Sequence, residues 1–365
     1  MSQELVYLLL IFGLLVIPRA LQRLKIPAPI TCLALGIGAM LAWGDRTHDP
    51  VVVLLSTLGI SSLFLFAGLE VEIQALRRGL GRLLVHLGIR VGSMLVVGWL
   101  GWRYMDLGWQ AAALLALAVL FVALQAGDPM QFAASSAAMV ALLVGLPLLF
   151  MALGRWVMPH APGSEFSLLV MVGMVAAYVT FNLGVYYLVG AFIAGLTARL
   201  LQDRMPKLAS FDNIHALRLF ATFFVPFYFF HAGTGISRDA LTWDALLVGL
   251  AITAIVLPLR VGMIWLQRRI LFKENHESAM RVSVALAPTL VFTLVIAEVL
   301  HARFAIPGAL FGGLVLYTTL NTMLPSLLLR QPFDIDPLDA GEPWRHPEDV
   351  SPSGSTPPSS PPGLS

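Results

Sequence analysis

Apolar residues in this chain come in blocks of roughly 18 to 24, separated by short polar breaks, which is the helical length that crosses about 30 Å of hydrocarbon. About twelve such segments are predicted, centred near Leu10, Leu35, Leu63, Val91, Leu117, Val140, Val172, Ile193, Phe224, Ile252, Leu290 and Leu316. The blocks lack the period-2 alternation of a membrane barrel, and an unpaired backbone amide costs several kcal/mol in lipid, so the spanning element is the α-helix. The pattern predicts an all-α polytopic membrane protein.

Composition strengthens this picture. Of 365 residues, 58% are hydrophobic and 12% charged, with a mean hydropathy of +0.82, whereas a soluble domain carries about a quarter charged residues. The single cysteine, Cys32, lies inside an apolar block and offers neither a disulfide framework nor a zinc constellation. The amino terminus lacks a basic region and a small-residue cleavage site, so it reads as a first helix and not as a removable signal. Basic residues are scattered one to three per loop and form no face for nucleic acid. His86 and His160 lack companions at metal spacing, His231 behind its aromatic run reads as an interfacial or hydrogen-bonded helix residue, and no nucleophile–base set converges, so neither an enzyme nor a cofactor is expected. Beyond Arg330 the chain turns acidic and then Pro/Ser/Gly-rich. This divides it into a transmembrane domain over 1–330 and a tail over 331–365 that is expected to be disordered.

Two stretches in opposite halves resemble each other. Residues 63–76, LFLFAGLEVEIQAL, and 228–241, YFFHAGTGISRDAL, are identical at five of fourteen positions, including Ala67-Gly68 and Ala232-Gly233. Each follows a segment with a glycine near its middle, Gly36 in the first half and Gly195 in the second. That order is what an internal transporter repeat leaves behind. Basic residues sit behind odd-numbered segments in the first half (Arg19, Arg23, Lys25, then Arg77, Arg78, Arg82) and behind even-numbered ones in the second (Arg155; Arg199, Arg204, Lys207; Arg268, Arg269, Lys273). Because Lys and Arg in short loops favour the cytoplasm, the halves agree only if one crossing is missing or uncounted between about Trp109 and Met151. The amino terminus is then outside and the tail inside.

KIPAPITCLALGIGAML, LGISSLFLFAGLEVEI, LVGAFIAGLTARL and FFVPFYFFHAGTGIS resemble, in order, four recurrent segments of the monovalent cation:proton antiporter-2 family, over about Val6 to Leu329. The resemblance implies two inverted repeats, a dimerisation panel giving a homodimer, and a transport core in which two unwound helices cross at the bilayer midplane. It also implies sodium or potassium exchange for protons across the bacterial inner membrane. In such a core, half-helix ends and free carbonyls face the cation, and one carboxylate binds either ion, which couples the two fluxes.

Pro288 lies near the centre of the eleventh segment, where it removes a helical hydrogen bond, and Thr289 and Thr293 stand ready for the freed carbonyls. Arg260, in the tenth segment, occupies the place where relatives carry a core lysine. Glu298 and Arg90 are further charges inside spans, each with a bland alternative: Glu298 facing water near a helix end, Arg90 paired across the bundle. Glu70 lies in the family-like GLE setting beside Arg77 and Arg78, where a surface salt bridge is the plainer reading. Thr319 and Asn321, in the polar stretch Tyr317, Thr318, Thr319, Asn321, Thr322, either line a pathway or bond neighbouring helices. The first half departs from the family at the decisive place. No Asp or Glu lies between Asp106 and Asp128, so the cation-binding aspartate has no counterpart, and a deletion near Ala118 is inferred. An impaired exchanger, a potassium efflux channel-like protein, and a non-transporting scaffold or sensor all remain open.

Overall fold

A computed structural model describes residues 3–43, 49–71, 129–161, 163–182, 187–202, 204–208 and 210–329. Among these residues the chain forms α-helices and one 3-10 turn, without strands. The helices are α1 (Gln3–Gln22), α2 (Ala28–Trp43), α3 (Pro50–Leu69), α4 (Pro129–Trp156), α5 (Glu165–Asn182), α6 (Tyr187–Leu200) and α7 (Phe211–Thr234). They continue with α8 (Trp243–Leu271), α9 (His276–Ala285), α10 (Leu290–Phe304) and α11 (Gly308–Leu328). Six of them are long and apolar enough to cross a membrane, seven with α9 and α10 counted as one bent span. The expected segments near Val91 and Leu117, Arg90, the join near Ala118 and the tail lie outside the described residues, which therefore do not reach twelve spans by themselves.

Helix starts follow local chemistry. Asp49, Ser210, Thr242 and Asn275 each take extended backbone and accept a hydrogen bond from an otherwise orphaned N–H, at Val51, Asn213, Ala245 and Ser278 respectively. Pro50 begins α3 at the position where its missing N–H costs nothing.

Helices α1 to α3 and α5 to α7 pack as two interleaved repeats. α3 and α7 pack most extensively on each other, α2 lies on α7, and α6 lies on α3. The glycines show why. A Cβ on Gly36 would strike the Phe230 carbonyl, and one on Gly195 would strike the Leu65 carbonyl, the counterpart of Phe230 in the aligned repeat. A Cβ on Gly233 would meet Leu33 O and Ile37 N, and one on Gly68 would meet Phe192 O and Leu196 N. Each repeat thus offers its second helix to the other repeat's third, the reciprocity of a pseudo-two-fold axis. Lipid tails are as apolar as leucine, so close backbone approach through small residues, more than hydrophobic burial, holds such helices together. The centre is filled by Phe66, Phe227, Phe229, Ile60, Leu65 and Leu217, all fully buried. A second group, α8 to α11, packs mainly within itself. The Phe64–Phe292 ring contact, edge-on at 5.7 Å, ties α3 to α10 across the two groups.

Side-chain contacts sort the helix ends into two faces. The Glu70–Arg218 ion pair joins the end of α3 to the start of α7, and Arg204 reaches Met151 near the end of α4. The α8–α9 turn lies on this same face, since α8 runs back from the other one. On that opposite face Tyr7 donates to Asp49 and Arg238 donates to the Leu41 carbonyl. Hydrogen bonding from Tyr7 holds the Asp49 carboxyl below its ordinary range.

Candidate transport site

The second helix group is built around a break. α9 ends at Ala285 and α10 begins at Leu290, with a 45° bend between them. Pro288 sits in the gap: it has no N–H to donate, and it disfavours helical backbone at Ala287 before it. Leu286 N still reaches Val282 O at 3.0 Å and Ala287 N reaches Val284 O at 3.2 Å, after which the ladder stops until Thr293 N bonds Thr289 O at 2.9 Å. Proline alone does not decide this outcome, because α4, α7 and α8 run on through Pro147, Pro226 and Pro258.

At the break the freed backbone finds partners from two other helices. Arg260 of α8 donates to the Leu286 carbonyl at 3.3 Å and also to the Tyr317 hydroxyl of α11. Thr289 bonds the same hydroxyl, Thr293 donates to Thr289 Oγ1 at 2.9 Å, and Asn321 Nδ2 donates to Thr289 Oγ1 at 3.0 Å. One hydroxyl therefore collects α8, α10 and α11. The guanidinium lies against the carbonyl end of a half-helix, where the backbone dipoles present about half a negative charge. Asn321 and Thr318 are fully buried, and Asn321 Oδ1 and Thr318 Oγ1 have no hydrogen-bond partner.

Of the residues expected from sequence, Arg260, Pro288, Thr289, Thr293 and Asn321 come together here. Thr319 is turned away and donates to Val315 O of its own helix at 2.8 Å. Glu298 lies on α10 about two turns beyond the break and is exposed. Glu70 belongs to the other helix group: its partner is Arg218, at 3.2 Å, and that guanidinium also lies 5.3 Å from the centre of the Phe66 ring. Burial pushes the Glu70 carboxyl above its ordinary range, and the attraction of Arg218 only partly opposes this. Tyr317 is read from sequence only as part of the polar stretch of the last segment, and Arg218 is not singled out at all. Tyr317 was legible through its spacing, since it stands one helical turn from Asn321 and shares its face. Arg218 stands two turns into α7, behind Asp212, Asn213 and His215, and nothing local connects it with Glu70.

Among the described residues every acid except Glu298 occupies a first turn, a cap or a loop, and no three of His, Cys, Asp or Glu come together to hold a metal. The break is thus a frame of one fixed cation, hydroxyls, an amide and a carbonyl.

The transmembrane sodium/hydrogen exchanger family matches residues 114–333, well over half of the chain. No curated protein matches. Among solved structures, the sodium proton antiporter MjNhaP1 from Methanocaldococcus jannaschii shares the fold, with a TM-score of 0.60 at 15% identity, over 89% of this chain and 96% of that one. Helices of spanning length, paired repeats and a helix broken beside a half-buried arginine agree with that assignment. The chain is a multi-pass membrane protein and a transporter, not an enzyme, and it belongs to the sodium/hydrogen exchanger family.

Proposed function

We propose that the protein exchanges sodium or potassium for protons, and that exchange in this copy is impaired. The observation that carries the reading is the break at 286–289, held by Arg260, Tyr317, Thr289 and Asn321. It supplies the half-helix ends of a cation site, with the positive charge of Arg260 set against the carbonyl end of α9. It supplies no group that changes charge near neutrality. Arginine stays protonated, a tyrosine's ordinary pKa is about 10, and the remaining members are neutral. Proton carriage therefore falls to a carboxylate, and among the described residues the one offered by the body of a helix next to the break is Glu298. Nine residues beyond Thr289, it lies about 13.5 Å along α10 at 1.5 Å per residue, too far away to share a cation with the Thr289 frame, which is why coupling is weak.

The same reading takes residues 1–330 as the exchanger domain, acting as a homodimer in a bacterial inner membrane with the amino terminus outside. Gathering of basic residues on the Glu70–Arg218 face supports that orientation.

Purified protein in liposomes with an imposed pH gradient tests the proposal. Proton movement is expected to depend on sodium or potassium, at a rate well below that of a chain with a core aspartate. A trace that stays flat across a wide range of both cations overturns it in favour of a non-transporting scaffold, and unitary currents overturn it in favour of a channel.

A further inference from the structure

The turn between α8 and α9 gathers hydrogen-bond donors at the end of a lipid-facing helix. Its pivot is Lys273, in left-handed backbone with φ 52°, a position that helix ends usually give to glycine. The turn's own acid is already taken: Arg268 holds Glu274 through Nη2 to Oε1 at 2.9 Å and Nε to Oε2 at 3.0 Å. Arg269 spends one N–H on the Glu274 carbonyl at 3.2 Å and stays exposed with the rest of its fork.

His276 completes the set through its tautomer. Trp265 Nε1 lies 3.2 Å from His276 Nδ1, with the rings edge-on at 5.6 Å. An indole N–H can only donate, so Nδ1 is the acceptor and the neutral imidazole carries its proton on Nε2. The exposed ring therefore adds a donor at Nε2 to the corner, beside the charges of Arg269 and Lys273. Leu266 and Ile270, exposed at 49% and 64%, stand four residues apart on one face of α8, and Arg269 follows Leu266 by three residues. Glu277 is the exposed acid nearby, and Arg281 stands four residues beyond it at ion-pair spacing.

We propose that this corner binds the phosphate of an anionic phospholipid headgroup. Arg269, Lys273 and His276 donate to the phosphate oxygens, and the acyl chains lie along Leu266 and Ile270. A donor-rich, net-positive edge directly above an apolar stripe matches a lipid better than a soluble anion, because only a lipid uses both parts. The site is separate from the break and does not depend on exchange.

The test uses full-length protein in neutral detergent, titrated with phosphatidylglycerol, phosphatidylcholine or inorganic phosphate and followed by thermal unfolding and native mass spectrometry. Phosphatidylglycerol is expected to raise the unfolding temperature and to be retained as a bound lipid. Arg269→Gln and Lys273→Gly are each expected to weaken its apparent affinity about fivefold. Lys273→Gly also relieves the left-handed backbone, so its base stability is expected to hold or rise, which separates loss of binding from loss of fold. Equal responses of wild type and both variants to phosphatidylglycerol overturn the proposal. So does an equal response to phosphatidylcholine, or reproduction of the effect by inorganic phosphate.

Discussion

At the scale of single residues, the site turns on what Arg260 holds together. Its guanidinium joins a carbonyl at the end of α9 to a hydroxyl on α11, so removing it strips both at once. A hydrogen bond to a charged group contributes about 1.5–3 kcal/mol, and an abandoned buried acceptor adds to the loss. Arg260→Gln is expected to destabilise the protein by about 2 kcal/mol in a denaturation series. Arg260→Lys should recover part of this, since an ammonium can reach one acceptor but lacks the planar fork that spans two. Equal stability of all three proteins would detach Arg260 from the break. The sequence made Arg260, Pro288, Thr289 and Asn321 visible as residue types out of place in lipid. It could not show their partners, because α8, α10 and α11 meet only through tertiary packing. Within the stretch from Tyr317 to Thr322, Thr319 and Thr322 satisfy themselves on their own helix, while Tyr317 and Asn321 reach across. Composition alone does not separate those two behaviours.

At the scale of elements, glycine position sets how closely helices approach. Gly36 and Gly38 stand two residues apart on α2, yet a Cβ on Gly36 would press into the backbone of α7 at Phe230 while one on Gly38 meets nothing within 4 Å. Backbone cannot step aside as a flexible side chain does, so Gly36→Ala forces α2 away from α7, at a cost of about 1–3 kcal/mol typical of overpacking. Gly38→Ala should be neutral or mildly stabilising, since alanine is the better helix former. Thermal unfolding of the two variants side by side checks the contrast, and matching shifts would deny the close crossing. Gly195→Ala, by the repeat, should behave as Gly36→Ala does. The repeat itself was readable from fourteen aligned positions, because the glycines demanded by close crossing survive on both sides of the axis. The exchange of partners between repeats was not, since it is a property of two helices from each half meeting in space.

At the scale of the whole molecule, the helix ends account for the conflict between the two halves' basic residues. α3 ends at Glu70 on the face that also carries Arg218, whereas α4 brings its Trp156 end to that face and so places Pro129 on the other. The described ends flanking 72–128 therefore lie on opposite faces, which removes the contradiction between odd and even segments. Arg19, Arg23, Arg155, Arg199, Arg204, Lys207, Arg268 and Arg269 then share one face, against Arg238 on the other. Such an excess is what a cytoplasmic side carries. The orientation can be read directly from thiol labelling. With buried Cys32 replaced by alanine, Asp239→Cys and Lys207→Cys each place one exposed thiol on a different face. A membrane-impermeant maleimide on intact cells is expected to label Asp239→Cys, and to reach Lys207→Cys only after permeabilisation. The reverse pattern inverts the orientation, and labelling of both thiols in intact cells would break the assignment of helix ends to two faces.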